Sequence, residues 1–514
     1  AIASPGLLSA IKLASNSFRK IKPTRRSRVH IVTVDLDCNT KMASPDIPQR
    51  SPKLSDKLTV AVSMPSLPFR HGERSPLPPS LSEVSAYENY LRLPELRGLW
   101  SSRDFPNWKG EPILKPALQA LEITFRFVST VLSDPRPYLN RREWGRKLES
   151  LAMRQIELIA GLCDCEDEDD ETPVDDSRSS EGVALTRESS ATEVWKLSER
   201  TTVVSRQSDQ SLLPRLASWR KSEGIAQKIL YSIECEMRGC PYTLGLGEPN
   251  LAGKPCLRYD AVCKPSDLHS LRKSPSEQLQ LDNHENQTLY TAHQILESWV
   301  QASRKLLARI VERIEARNFE RASADCWMLE RIWKLLAEIE DVHLLMDPDD
   351  FLRLKSQLSI KSASDTEAFY FRSEGLMRIT KLSKELKHRL PWILEVEVDP
   401  KGGPRIQEAA MKLYRERRGC ERIHLLQGLQ TIESAMKRFF FAYRQVVVTM
   451  MGSVEARANR ALVSTESCDS LSQLFLEPTY FPSLDAAKTF LGDNWEYQTG
   501  SAQPRRRRTE HRGV

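Results

Sequence analysis

No run of this sequence reaches the ~20 consecutive apolar residues that a helical membrane span requires, so the sequence offers no candidate for one. Glycine is scarce, 21 of 514 residues. The one Gly-rich stretch that could suggest a phosphate-cradling loop, GLGEPNLAG at 245–253, has neither a strand pattern before it nor a helical pattern after it, and that reading is excluded. Ten cysteines are spread singly or in loose pairs. Cys163–Cys165, Cys235–Cys240 and Cys256–Cys263 with His269 do not match zinc-ligand spacings, so no metal site is expected, and the thiols read as reduced. The net charge of +6 is modest for the length, and basic and aromatic residues do not interleave, which argues against a nucleic-acid partner. Strand-like alternation is also scarce; Ile393–Val398 is the only short candidate.

What the sequence has in quantity is helical periodicity. Leu118, Leu121, Phe125 and Val128 recur at three- and four-residue steps after Pro116, in a helix that should stop before Pro135. A second helix, 142–163, places Trp144, Leu148, Leu151 and Leu158 on one side, and helix resumes at 212–237. In the carboxy-terminal half, 283–317 carries Leu289, Leu296, Val300, Leu307, Ile310 and Ile314 on one face, and 325–346 does so with Leu329, Ile332, Leu336, Ile339 and Met346. Residues 377–389, 407–417 and 421–451 add more helices, with Phe439–Phe441 as bundle core. The fold class expected is all-α, a multi-helix bundle.

Composition divides the chain. Residues 1–82 are expected to be disordered: 42–82 are Pro- and Ser-rich, and 1–41, basic and Ser-rich, are read as an extension upstream of a native start at Met42. Residues 83–240 form an amino-terminal helical domain, interrupted at 166–211 by an acidic run, Glu166–Glu171, and a Ser/Thr-rich tract that reads as a flexible linker. Residues 241–495 form the carboxy-terminal bundle, opening on an irregular Pro/Gly-rich stretch at 239–273, and 496–514 is a basic tail ending in Arg505–Arg508. The sequon at Asn286 falls inside a predicted helix and is discounted.

Three segments carry a distant resemblance. HENQTLYTAHQILESW (284–299) keeps His293, Gln294, Glu297 and Trp299 at the spacing of the distal-pocket helix of the tryptophan dioxygenase superfamily, which it resembles. On that comparison the family's carboxylate-clamping Arg falls on Lys355, its neighbouring aromatic on Phe351, and the pocket Phe on Leu289. Lysine lacks the planar fork of the clamp. In IHLLQGLQTIESAMKRFFFAYRQVVVTMMG (423–452) the proximal haem His falls on Tyr443, or on Gln445 if the register slides by two. The resemblance therefore implies a dioxygenase-like scaffold with a vestigial pocket at Leu289, His293, Phe351, Lys355 and Tyr443. No catalytic residue and no cofactor are expected, and His293 and Glu297 would remain as a buried polar pair. The alternative it leaves open is a divergent haem enzyme with Tyr443 as axial ligand, or a sensor of an indole-like molecule.

A second resemblance covers 42–495. AYENYLRLPELRGLWSSRDFP, EPILKPALQALEITFR, YTLGLGEPNLAGKPCLRYDAVC, LLMDPDDFLRLK and LEPTYFPSLDAAKTFL are similar to blocks of the plant HSPRO nematode-resistance family. That resemblance implies a non-catalytic regulator of basal defence whose partner is a regulatory subunit of the SNF-related energy-sensing kinase. Leu185, Arg187, Ser190 and Val194 match the pattern such kinases favour, making Ser190 a candidate phosphosite. The expected compartment is the cytoplasm, with the nucleus as a second one.

Overall fold

In the computed structural model the described residues are 86–102, 110–134, 138, 140–164, 192–198, 201–248, 256–272, 286–349, 373–397, 405–416, 419–452 and 474–500. All lie in the second of two units, Pro79–Val514. In chain order the elements are α1 (Ala86–Leu91), α2 (Leu93–Ser101), α3 (Glu111–Ser133), α4 (Arg141–Asp164), β1 (Thr192–Ser198), β2 (Thr201–Arg206), α5 (Leu212–Ala217), α6 (Glu223–Glu236), α7 (Tyr259–Cys263), α8 (Pro265–Ser270), α9 (Asn286–Glu315), α10 (Phe319–Glu340), α11 (Glu374–Glu385), α12 (Leu390–Leu394), α13 (Arg405–Glu416), α14 (Cys420–Met451) and α15 (Pro482–Gly500). Short 3-10 turns, Asp341–Leu345 and Leu386–Arg389, extend α10 and α11. The fold is all-α.

Side chains dictate the layering. α3 is buried on nearly all sides from Ile113 to Val128, the mark of a central helix. It packs on α4 and α9; α9 in turn packs on α10 and α11, and α10 on α14. Helices from both halves thus share one core, so the division near residue 240 separates two stretches of sequence that fold together. α3 ends at Ser133, as Pro135 requires. Ser211 caps α5 by accepting from the Leu213 N–H, Asn318 caps α10 through Arg321, and Ser373 caps α11 through Leu376.

Polar ties fix the layers against one another. Gln155 of α4 donates to Thr124 Oγ1 of α3 at 2.8 Å and accepts from Trp299 Nε1 of α9 at 3.0 Å. Asp325 of α10, fully buried, takes Arg309 at 2.7 Å and Arg313 at 2.8 Å from α9. Each buried polar atom in these ties has its partner, which is what makes such burial tolerable.

Two expectations need correction. The strand candidate Ile393–Val398 begins inside a helix, α12, whose Pro391 sits in the first turn where a missing N–H costs nothing. The linker 166–211 is not flexible throughout, because Thr192–Ser198 and Thr201–Arg206 pair as an antiparallel hairpin with Val194 opposite Val204 and Trp195 opposite Val203. β-branched residues suit a strand pair, and the surrounding serines and acids masked them in the composition. Beyond the hairpin, Ser208 bonds to Asp260 and Ser211 donates to Glu122 Oε2 at 2.7 Å, fastening the chain to α3 and α7. Smaller differences follow local chemistry: 212–237 is two helices, α5 and α6, and 239–273 contains α7 and α8. The terminal arginines 505–508, the acidic run and all of residues 1–82 lie outside the described residues.

Candidate functional site

Helical spacing places Leu289, His293 and Glu297 on one face of α9 at four-residue steps. All three are buried. Opposite His293, the end of α10 supplies Glu340, and the 3-10 turn after it supplies His343; both are buried as well. Glu340 Oε1 lies 3.6 Å from His293 Nε2, and Glu340 Oε2 lies 3.1 Å from His343 Nδ1. The two imidazoles meet edge-on with centroids 5.1 Å apart. Tyr87 of α1 closes the cluster, its ring 5.7 Å from that of His293 and its hydroxyl donating to Glu297 Oε1 at 3.0 Å.

Burial by itself would push the Glu340 carboxyl up, but the two imidazoles outweigh it and hold it at about 2. Burial pushes His293 below its ordinary value despite the neighbouring carboxylate. Glu297 goes the other way: burial raises it to about 7, against hydrogen bonds from Ser373 and Tyr87. The centre therefore holds one firmly ionised carboxylate and one carboxyl that titrates near neutrality.

His293, Glu340 and His343 offer ligand atoms within 4.8 Å of one another, a two-histidine, one-carboxylate set. His343 Nδ1 also sits 3.0 Å from the Glu340 backbone carbonyl, which can only accept; a proton on Nδ1 leaves the lone pair of this imidazole on Nε2. As arranged, the cluster is a buried carboxylate held between two imidazoles.

Haem fares worse. Tyr443 of α14 is buried, with its ring flat against Phe439 (centroids 6.0 Å, planes 8° apart). Phe439 and Phe440 in turn pack on Trp333 at 5.4 and 6.2 Å. A porphyrin ligated by Tyr443 would have to displace this aromatic stack, so the residues present do not fit it.

Of the five pocket residues named from sequence, Leu289 and His293 share the α9 face, and Tyr443 belongs to the α10–α14 seam. Phe351 and Lys355 lie outside the described residues, as does Ser190. His293 and Glu297 are buried as expected, but with different partners: Glu340 for one, Tyr87 for the other. Sequence reasoning missed Glu340, His343 and Tyr87. The signal for the first two was a Glu-x-x-His step at the end of an apolar helix, 340–343.

A second polar hub is structural. Glu122, in the middle of α3, accepts from Ser211 Oγ (2.7 Å), the Leu212 N–H (2.8 Å) and Tyr259 Oη (3.0 Å), with His269 at 3.2 Å. The nearby Cys263 thiol is raised by burial, then by Glu122, and is unreactive.

Fold and site together define an all-α bundle with a closed ionic centre, and no described helix is long and apolar enough to cross a membrane. The Hs1pro-1 N-terminus family matches residues 33–234 and the Hs1pro-1 C-terminus family residues 237–497, and the chain belongs to this HSPRO family. It is 56% identical over 470 residues to the nematode resistance protein-like HSPRO2 of Arabidopsis thaliana, covering 90% of this chain and 99% of the relative. Against the nematode resistance protein-like HSPRO1 of the same plant it is 54% identical over 462 residues, with the same coverage.

Proposed function

We propose that this protein is a plant defence regulator that works by binding other proteins and carries out no catalysis itself. The observation that carries the reading is full-length similarity, 99% of each relative, to two proteins named for nematode resistance. The chemistry of the site supports the second half. His293 is committed to Glu340 inside the core, and Tyr443 to an aromatic stack, so both residues serve packing where an enzyme would need them facing a substrate.

The partner proposed is a regulatory subunit of the SNF-related kinase, and Ser190 is the proposed phosphosite, in the cytoplasm and nucleus. Co-precipitation of the purified subunit with the full chain tests the partner. Deleting 166–190, which stops short of the β1–β2 hairpin, separates an acidic-run contact from one on the bundle. Salt-sensitive binding lost on deletion assigns the acidic run; undiminished binding assigns the bundle, and no binding in either rejects the partner. Equal phosphate incorporation into wild type and Ser190→Ala would reject the phosphosite. The catalytic reading is tested by haem reconstitution: a saturable Soret band that disappears in Tyr443→Phe would replace the regulator with a haem protein.

A further inference from the structure

A cleft of about 140 Å³ lies where α2, α9 and α11 meet, lined among others by Arg97 and Trp100 of α2, Glu297 and Arg304 of α9, and Glu374 and Arg378 of α11. Gly375 permits the approach: a side chain there would come within 2.9 Å of Val300 Cγ1 and 3.1 Å of Glu297 Oε2. The three guanidinium groups are not equivalent. Arg97 is spoken for, forked onto Glu88 at 2.7 and 3.0 Å. Arg304 and Arg378 have no ion pair among the described residues. Both line the cleft, and Arg304 is lowered, first by burial and then by Arg378 and Arg97, against the pull of Glu374. The indole N–H of Trp100 is buried and has no acceptor among the described residues.

Arg304 and Arg378 also line a second, larger cavity. This groove of about 730 Å³ runs on between α9 and the end of α11, and its walls are Leu307, Val311, Leu382 and Leu386. Its volume is that of an ordinary small-molecule pocket. Glu312 and Glu385 line it two turns beyond the arginines, and the Arg389–Glu315 pair at 2.7 Å ties the far ends of the two elements together. The groove is thus cationic at one end and of mixed charge at the other, where His388 and Arg389 stand beside Glu312 and Glu385, with an apolar wall between.

We propose that these joined cavities bind an amphipathic monocarboxylate, its head between Arg304 and Arg378 and its apolar body along Leu307, Val311, Leu382 and Leu386. Arg304 and Arg378, without an ion pair among the described residues, are faced by Glu374 and by Glu297, whose carboxyl is raised to about 7; together they leave at most about one surplus positive charge, which suits a monoanion better than a phosphate dianion. The cationic end sets the direction in which the ligand lies. The site touches the His293 cluster at Glu297 and does not depend on any protein partner.

Calorimetric titration of the full chain with dodecanoate tests the assignment, with dodecanol, acetate and dodecyl phosphate as the other arms. The expected result is saturable one-site binding of dodecanoate, about tenfold or more tighter than dodecanol. Arg304→Gln and Arg378→Gln should each weaken it by about tenfold or more, while Lys305→Gln, on the exposed side of α9, leaves it unchanged. The comparison of dodecanoate with dodecanol needs no variant and stands even if an Arg variant misfolds. Absence of saturable dodecanoate binding, equal binding of dodecanol, or full affinity in both Arg variants would each overturn the site. Tighter binding of dodecyl phosphate than of dodecanoate would overturn the carboxylate.

Discussion

His293 near the start of α9 and Tyr443 in α14 are equally buried, yet their surroundings solved burial in opposite ways. Around His293, Glu297, Glu340 and Tyr87 the core kept ionisable groups and set them against one another. Around Tyr443, Phe439, Phe440 and Trp333 it became a stack of rings. An aromatic seam draws its stability from area and packing and is indifferent to pH. A buried ionic cluster draws little net stability from its charges, but losing one member strands the others without a partner. The two regions should therefore fail differently when damaged.

The largest effect is expected in the seam. Trp333→Ala removes the ring on which Phe439 and Phe440 pack and should cost about 5 kcal/mol, the upper part of the range for such truncations. Urea unfolding measures it; a cost below about 2 kcal/mol would show that the seam collapses around the gap and is not the rigid half of the comparison. Next comes Glu340→Gln, which keeps the shape and removes the charge between His293 and His343. Breaking a buried ionic cluster in this way should cost about 4 kcal/mol at pH 7. The Glu340 contribution has a defined pH window, because a carboxyl lowered in the fold stabilises it above the unfolded value of ~4.3 and loses that effect as pH falls toward 2. Wild type and Glu340→Gln should thus converge in stability on acidification, and a constant gap from pH 7 to pH 3 would reject the ionised state assigned to Glu340.

Glu297 offers the opposite sign within the same cluster. Its pKa is raised to about 7, so the folded protein holds that proton more tightly than the unfolded chain does. Such a group stabilises fully below ~4.3, and the effect is lost as pH rises through 7. Glu297→Gln fixes the neutral form, keeps an acceptor for the Tyr87 hydroxyl, and should be more stable than wild type by about 3 kcal/mol at pH 8, with no gain at pH 4. Melting temperatures of the two proteins across that range decide the matter; parallel curves would place the charge of Glu297 in water.

How much of this was legible beforehand depended on whether the signal was local. Helices α3, α4, α9, α10 and α14 announced themselves by three- and four-residue apolar steps, because each hides one face in the same core. The hairpin 192–206 did not, although its strands are adjacent in the chain, since its few β-branched residues sit among serines and acids. His293 was visible as a member of a helical face, but Glu340 and Tyr87 meet it only through packing between α9, α10 and α1. Residues 47 and 206 positions distant give no periodicity to read. Burial of Tyr443 followed from the apolar pattern of α14, and its stack on Phe439 is a four-residue step on that helix; the contact of Phe439 and Phe440 with Trp333 could come only from the α10–α14 crossing.

That crossing supplies the smallest and sharpest test. Gly428 of α14 and Gly161 of α4 both lie against α10, and neither has a positive φ. A Cβ at Gly428 would meet Cys326 Cβ at 2.8 Å, an atom fixed to the α10 backbone, with the Ser323 carbonyl oxygen at 3.8 Å. Relief requires the two helices to separate, and with them the Trp333–Phe439 contact, so Gly428→Ala should cost about 1–2 kcal/mol despite its better helix propensity. A Cβ at Gly161 would meet Met328 Cε at 2.7 Å and Arg331 Nη2 at 3.5 Å, the tips of two flexible side chains that can turn aside. Gly161→Ala should therefore be neutral or stabilising by up to about 1 kcal/mol from propensity alone. Urea midpoints of the two variants separate a crossing held by backbone contact from one cushioned by side chains; equal shifts would mean that α10 approaches α4 and α14 alike, and that the seam owes nothing to Gly428.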